Sequence, residues 1–218
     1  MIKPILFNTA MVKAIMAGEK TTTRRICKDG NMFTVPDMSY YDAYRRTYAV
    51  HNYSDGAHTD KISITERNCP ICPKDILYIR ETWLKADDGY YYRADETSHS
   101  RRTREDYGYK WRPSIHMPKE AARLFLRVKD VRVERLQNID DEGAKAEGAN
   151  VDVGWEEKMR RTAIERFAKI WDSTIKTDNM PFYSWKSNPW VWVIEFERFL
   201  PDLIEGHKNA NNELHNKD

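Results

Sequence analysis

The chain has 218 residues and nearly balanced charge, 36 Lys plus Arg against 34 Asp plus Glu, for a net +2. That length suits one packed domain carrying a large insertion, or two small ones, and the balance exerts no global pull toward nucleic acid or a membrane surface. Aromatic content of 12% argues against disorder, and 3 Cys are too few for a disulfide framework, which points to a reducing, cytoplasmic setting.

In chain order, "KPILFN" reads as a short buried strand. Asn8 or Thr9 then caps a helix whose apolar face is Met11, Val12, Ile15 and Met16, with Gly18 as its stop. "GEKTTTRR" follows directly, and its three threonines favour an extended return toward a sheet. Residues from about 28 to 68 are polar and without sustained period, an insertion with loose structure of its own. "ILYIRETW" is a strand, and "GYYYRAD" is its partner across "KADDG". "LFLRVKDVRVERL" alternates apolar and charged residues, giving one long strand or a bent pair.

"IDDEGAKAEG" is a short helix opening with acids and closing at Gly148. Trp155, Met159, Ala163, Phe167 and Trp171 recur at intervals of four and predict the core-facing stripe of one helix. "NPWVWVIEFERF" is a last strand, so residues 1–203 read as a single domain, with a polar, disordered tail over 204–218. The start lacks the long apolar core of a signal peptide, and no run approaches membrane-spanning length. The order of elements predicts an α+β fold, a small mixed barrel with helices outside it.

Several constellations could carry chemistry. If Lys20 and Thr23 converge, a desolvated lysine can take the threonine proton and create a nucleophile for an acyl group; a solvated turn is the plain alternative. Arg24 and Arg25 could grip a phosphate or carboxylate. Glu81 ends an apolar strand, and Glu147 closes a helix whose dipole disfavours an acid there. From 101 to 135 eleven basic residues stand against five acids, with Tyr107, Tyr109 and Trp111 interleaved. Such a surface suits RNA or single-stranded DNA, whereas residues 124–135 read better as a solvated sheet face. Trp111, Arg112 and His116 lie in a Pro-bounded loop, where His116 could donate to a phosphate or satisfy a backbone group. Cys69 and Cys72 have the spacing of half a zinc knuckle, and a structural zinc would need Cys27 plus His51 or His58 to complete it. No Gly-rich phosphate loop and no GxSxG elbow is present.

The motifs together resemble the ASCH domains of the PUA-like superfamily. Their G-x-K-x-x-T-x-R signature is met by Gly18, Lys20, Thr23 and Arg25. "CPKDILYIRETW" resembles the family's turn-and-strand segment, with Lys74 where a glycine is usual. "KWRPSIHMPKEAARLFLRV", "VRVERLQNI" and "NPWVWVIEFE" look like the longer ASCH proteins of bacteriophages and prophages. The resemblance implies a strongly bent β-barrel flanked by helices, with the insertion placed after the first helix and motif. One branch of the family is a bacterial amidohydrolase that deacetylates N4-acetylcytidine. Carried over, its Lys, Thr and Glu fall on Lys20, Thr23 and Glu147, and no cofactor is required. Glu81, Trp83, Arg24, Arg25, Trp111, Arg112 and His116 would then contact a nucleoside or nucleic acid. Other relatives bind RNA without catalysis, which is the alternative reading.

Overall fold

The structure is a computed structural model that describes residues 1–27, 39–42, 47–52, 59–65, 71–150 and 153–199; for the three strands between 39 and 65 only the backbone course is described. The fold is α+β. Its centre is a mixed five-stranded sheet of β1 (Ile2–Leu6), β2 (Thr22–Ile26), β6 (Ile76–Arg80), β9 (Phe125–Arg135) and β10 (Trp190–Phe199), in the order β1-β6-β9-β10-β2. β1 runs parallel to β6, and the remaining neighbours are antiparallel. β1 and β2 are the two edges, so among the described residues the sheet is open; the expected barrel does not close.

β10 shows why the sheet sits in the middle of the molecule. Trp190, Trp192, Ile194 and Phe196 enter one apolar cluster with Ile5, Phe7 and the Val12 and Ile15 side chains of helix α1 (Thr9–Met16). Val191 and Val193 enter another, with Ala144 of α3 (Asp141–Ala146) and with Phe167 and Trp171 of α5 (Ala163–Thr174). The side-chain period of two thus divides one strand between two cores, and helices cover both faces.

β9 keeps its apolar residues on one face by a slip. Leu126 and Val128 share a core with Val131 and Val133, an odd step in the alternation. The register with β10 shifts between Glu195 and Phe196: Glu195 pairs with Asp130, Phe196 with Val128, and Lys129 is left over as a bulge. Without that extra residue the second half of β9 would turn its valines to the opposite face.

The first helix follows its sequence signals. The Asn8 carboxamide accepts from Met11 N–H, and Gly18 turns the chain at φ 77.

Three readings are corrected. "ILYIRETW" is two strands, because the chain breaks after β6 at Glu81 and Thr82 before β7 (Trp83–Ala86), which pairs with β8 (Gly89–Tyr92). The stretch read as loose holds an antiparallel meander of β3 (Ser39–Asp42), β4 (Thr47–Asn52) and β5 (Thr59–Thr65). The long helix is also two, α4 (Trp155–Arg160) and α5, separated because Thr162 caps α5 reciprocally with Glu165. Trp155 and Met159 fall on the wrong side of that break and are 75% and 70% exposed, so they are not core residues. The expected disordered tail lies outside the described residues.

Candidate active site

Helix α1 ends at Gly18, and the following residues are zipped to the C-terminal end of α3. Thr21 N–H donates to the Ala146 carbonyl at 2.9 Å, and Lys20 and Glu147 form an antiparallel bridge. This backbone pairing brings together two residues that lie 127 positions apart.

The Lys20 ammonium has three acceptors: Glu147 Oε2 at 2.8 Å, the Glu147 carbonyl at 2.8 Å and the Thr22 carbonyl at 2.7 Å. All three of its protons are therefore placed. The second Glu147 oxygen accepts from Arg24 Nη1 at 3.1 Å, while Arg24 Nη2 reaches Glu134 at 3.2 Å. Lys20, Arg24 and Glu147 are all buried. The acid that is disfavoured by the α3 dipole is thus held by two cations that belong to other elements. Burial lowers the Lys20 pKa below 10.5, although the Glu147 carboxylate opposes the shift.

Thr23 is 3% exposed and pairs with Ile194, so it projects to that residue's face of the sheet. On this same side Lys20 Nζ lies 5.8 Å from the centroid of the Phe7 ring and the Arg25 guanidinium 5.1 Å from it. Two buried polar atoms at the centre, Thr22 Oγ1 and Arg24 Nε, have no hydrogen-bond partner among the described residues.

Gly148 makes the close approach possible. Its φ is +85, and a Cβ there would meet Ala14 Cβ at 3.3 Å and Lys20 Cβ at 3.6 Å. Gly148→Ala is expected to destabilise the protein by about 1–3 kcal/mol, read as a lower denaturation midpoint in urea. An unchanged midpoint would mean that the turn relaxes without strain.

The other expected site residues separate into three groups. Arg24 is committed to Glu147 and Glu134, and Arg25 to the Leu6 carbonyl at 2.7 Å. Glu81 is 1% exposed and bidentate with Arg123, which also pairs with Asp95. Burial raises the Glu81 pKa above 4.5 against the pull of Arg123. Trp83 packs with Met117 and Ala121 beneath the Arg112 guanidinium at 5.2 Å. Trp111 lines a cleft of about 770 Å³ that neither Lys20, Thr23 nor Glu147 borders. Arg112 and His116 are exposed on the loop beside it.

Among the described residues, five of the eleven basic residues in the stretch, Arg101 among them, pair with acids from outside it. Arg104 pairs with Glu96, Arg123 with Glu81, Arg127 with Glu197 and Arg132 with Glu195. A local excess along the chain is therefore no measure of the local field.

Cys27 and Cys72 are buried. Cys69 and His58 lie outside the described residues, as does the side chain of His51, so the expected zinc set falls mostly there. Among the described residues no three His, Cys, Asp or Glu groups converge, and no helix is long and apolar enough to cross a membrane. No family model matches the chain, nor does any curated protein or solved structure.

Proposed function

We propose that the chain is an ASCH-type, PUA-like amidohydrolase acting on N-acylated cytidine-like nucleosides, with Lys20, Thr23 and Glu147 as its catalytic set. The observation that carries this reading is the buried 2.8 Å contact between Lys20 and Glu147, the two ionisable members of the motif. A second point supports the family. Lys74 has a φ of 71, the left-handed conformation that favours glycine, at the position where the resembling segment carries glycine.

In this mechanism the Thr23 hydroxyl attacks the amide carbonyl, and neutral Lys20 takes its proton. Lys20 returns that proton to the departing exocyclic amine as the C–N bond breaks. Water then attacks the acyl-threonine ester; Lys20 takes one water proton and passes it to the Thr23 oxygen as the C–O bond breaks and the carboxylic acid leaves. Lys20 rests as the ammonium, and burial, by lowering its pKa, reduces the cost of the neutral amine that this role needs. Glu147 orients the lysine and, through Arg24, is itself held. All three residues are 5% exposed or less, so substrate entry requires local opening.

The test is deacylation of N4-acetylcytidine by wild type beside Thr23→Ala. Removing a hydroxyl leaves the ion pairs intact, so the variant should keep its fold and lose roughly 10³-fold or more in kcat. The wild-type rate should rise with pH on the alkaline side, at a pKa below 10.5, and Lys20→Arg should abolish that limb. Equal turnover by Thr23→Ala, or none by the wild type, would sink the assignment. The alternative of a non-catalytic nucleic-acid module drew on the basic stretch, where Arg104, Arg123, Arg127 and Arg132 already have carboxylate partners.

A further inference from the structure

β6 and β9 are hydrogen-bonded neighbours in the sheet, yet more than forty residues leave it between them. That excursion builds the β7–β8 hairpin, helix α2 (Ser98–Asp106) and the Pro-bounded loop, around a small core of Trp83, Met117 and Ala121. Its main product is the cleft of about 770 Å³, a size that holds a small organic molecule.

Cations and rings are paired throughout this region. Lys85 lies over Tyr90 at 5.6 Å, Arg104 over Trp111 at 5.7 Å, Arg112 over Trp83 at 5.2 Å and Arg123 over Tyr92 at 4.0 Å. Among the described residues Tyr91, Tyr107 and Tyr109 carry no such cation, and all three line the cleft. Tyr107 and Tyr109 stack on each other at 6.3 Å and 22°, which leaves an outer ring face, and Tyr107 is 73% exposed. Tyr91 donates its hydroxyl proton to Asp88 at 2.6 Å.

The charge of the lining has the complementary sign. Asp87, Asp88, Asp95 and Glu96 stand against Arg104 and Arg123. Both arginines are already engaged, Arg104 by Glu96 and Arg123 by Glu81 and Asp95, and Arg101 also reaches Glu96 at 3.5 Å. Asp87 and Asp88, at the exposed hairpin turn, are left with surplus negative charge next to open tyrosine faces. A phosphate would meet repulsion there. An alkylammonium group would meet ring quadrupoles and carboxylates together.

We infer that this cleft is a binding site for an elongated aliphatic polyamine, with one ammonium on the Tyr91, Tyr107 and Tyr109 faces and another on Asp87 and Asp88. The site is separate from the Lys20–Glu147 centre, so it stands whether or not that centre is catalytic.

The experiment is calorimetric titration of the full chain with spermidine at low salt, beside Tyr107→Leu and Asp88→Asn. Both side chains are exposed, and circular dichroism would verify that the variants are folded. Saturable binding by wild type, weakened about three- to tenfold in each variant and further by 0.5 M NaCl, is the expected result. No saturation up to about 10 mM overturns the proposal, a level weaker than any useful specific site. Binding that both variants retain unchanged overturns it as well. So does preferential binding of adenosine monophosphate, which would show that ring stacking and phosphate contacts govern the cleft.

Discussion

Replacing Glu147 with leucine is expected to cost about 3–5 kcal/mol of stability, the usual result of removing one partner from a buried ion pair. The reason lies in what remains. The Lys20 ammonium would keep its two carbonyl acceptors but lose its counter-charge, and Arg24 would keep only Glu134. Lys20 is 3% and Arg24 6% exposed, so water cannot take over the lost contacts without opening the α3 end. The double variant Lys20→Met/Glu147→Leu removes the unpaired ammonium and should recover part of the loss, the remainder being Arg24 without Glu147 and the two carbonyls without their donor. Urea denaturation of the two proteins measures this. A single variant as stable as wild type, or a double variant less stable than the single, would mean that the pair contributes by packing alone. For function the two predictions diverge: the double variant should fold and be inactive in deacylation.

Arg123→Ala is the second large effect, about 3 kcal/mol at neutral pH. Glu81 would be left 1% exposed without the two hydrogen bonds, at 2.9 and 3.2 Å, that hold its charge. The pH dependence identifies the cause. Burial already raises the Glu81 pKa above its ordinary 4.5, and loss of Arg123 raises it further. Between 4.5 and that raised value the folded state binds more protons than the unfolded state, so stability falls as pH rises through the window. The deficit of Arg123→Ala relative to wild type should therefore shrink as pH is lowered toward 4.5. Asp95 loses a partner too, but it is exposed and contributes little. A deficit that is constant between pH 5 and 8 would assign the loss to the Arg123 stack on Tyr92 at 4.0 Å instead.

Much of the local structure was legible along the chain. Asn8 and Gly18 bound α1 because capping and left-handed turns depend on one residue's chemistry. The meander among residues 39–65 was missed, because its strands are short and lie in a polar stretch. One other error, and one detail of the long strand that was correctly expected, had signals in plain view. The Thr162–Glu165 capping box marks a helix start inside the Trp155–Trp171 stripe, and there the stripe was given the greater weight. The adjacent Lys129 and Asp130 break the alternation of β9 where the bulge occurs.

The candidate site divides in the same way. The motif Gly18, Lys20, Thr23 and Arg25 is local, so the residues that could act as nucleophile and base could be named from the chain, as could the misplaced acid Glu147. Neither the Lys20–Glu147 contact nor the capture of Arg24 between Glu147 and Glu134 could be read there, since they join β2, β9 and the end of α3. Charge behaved likewise. The basic run from 101 to 135 is a fact of the sequence, but its field is decided by carboxylates brought in from β10, from Glu81 and from Glu96. By itself the sequence determined the α+β class, the ends of α1 and α3 and the residue types available for chemistry, because those follow from backbone preference and short-range periodicity. Which charges are neutralised, which rings stay open and which acid meets the motif lysine were decided by the tertiary structure, because Coulomb and desolvation energies depend on distance in space and not along the chain.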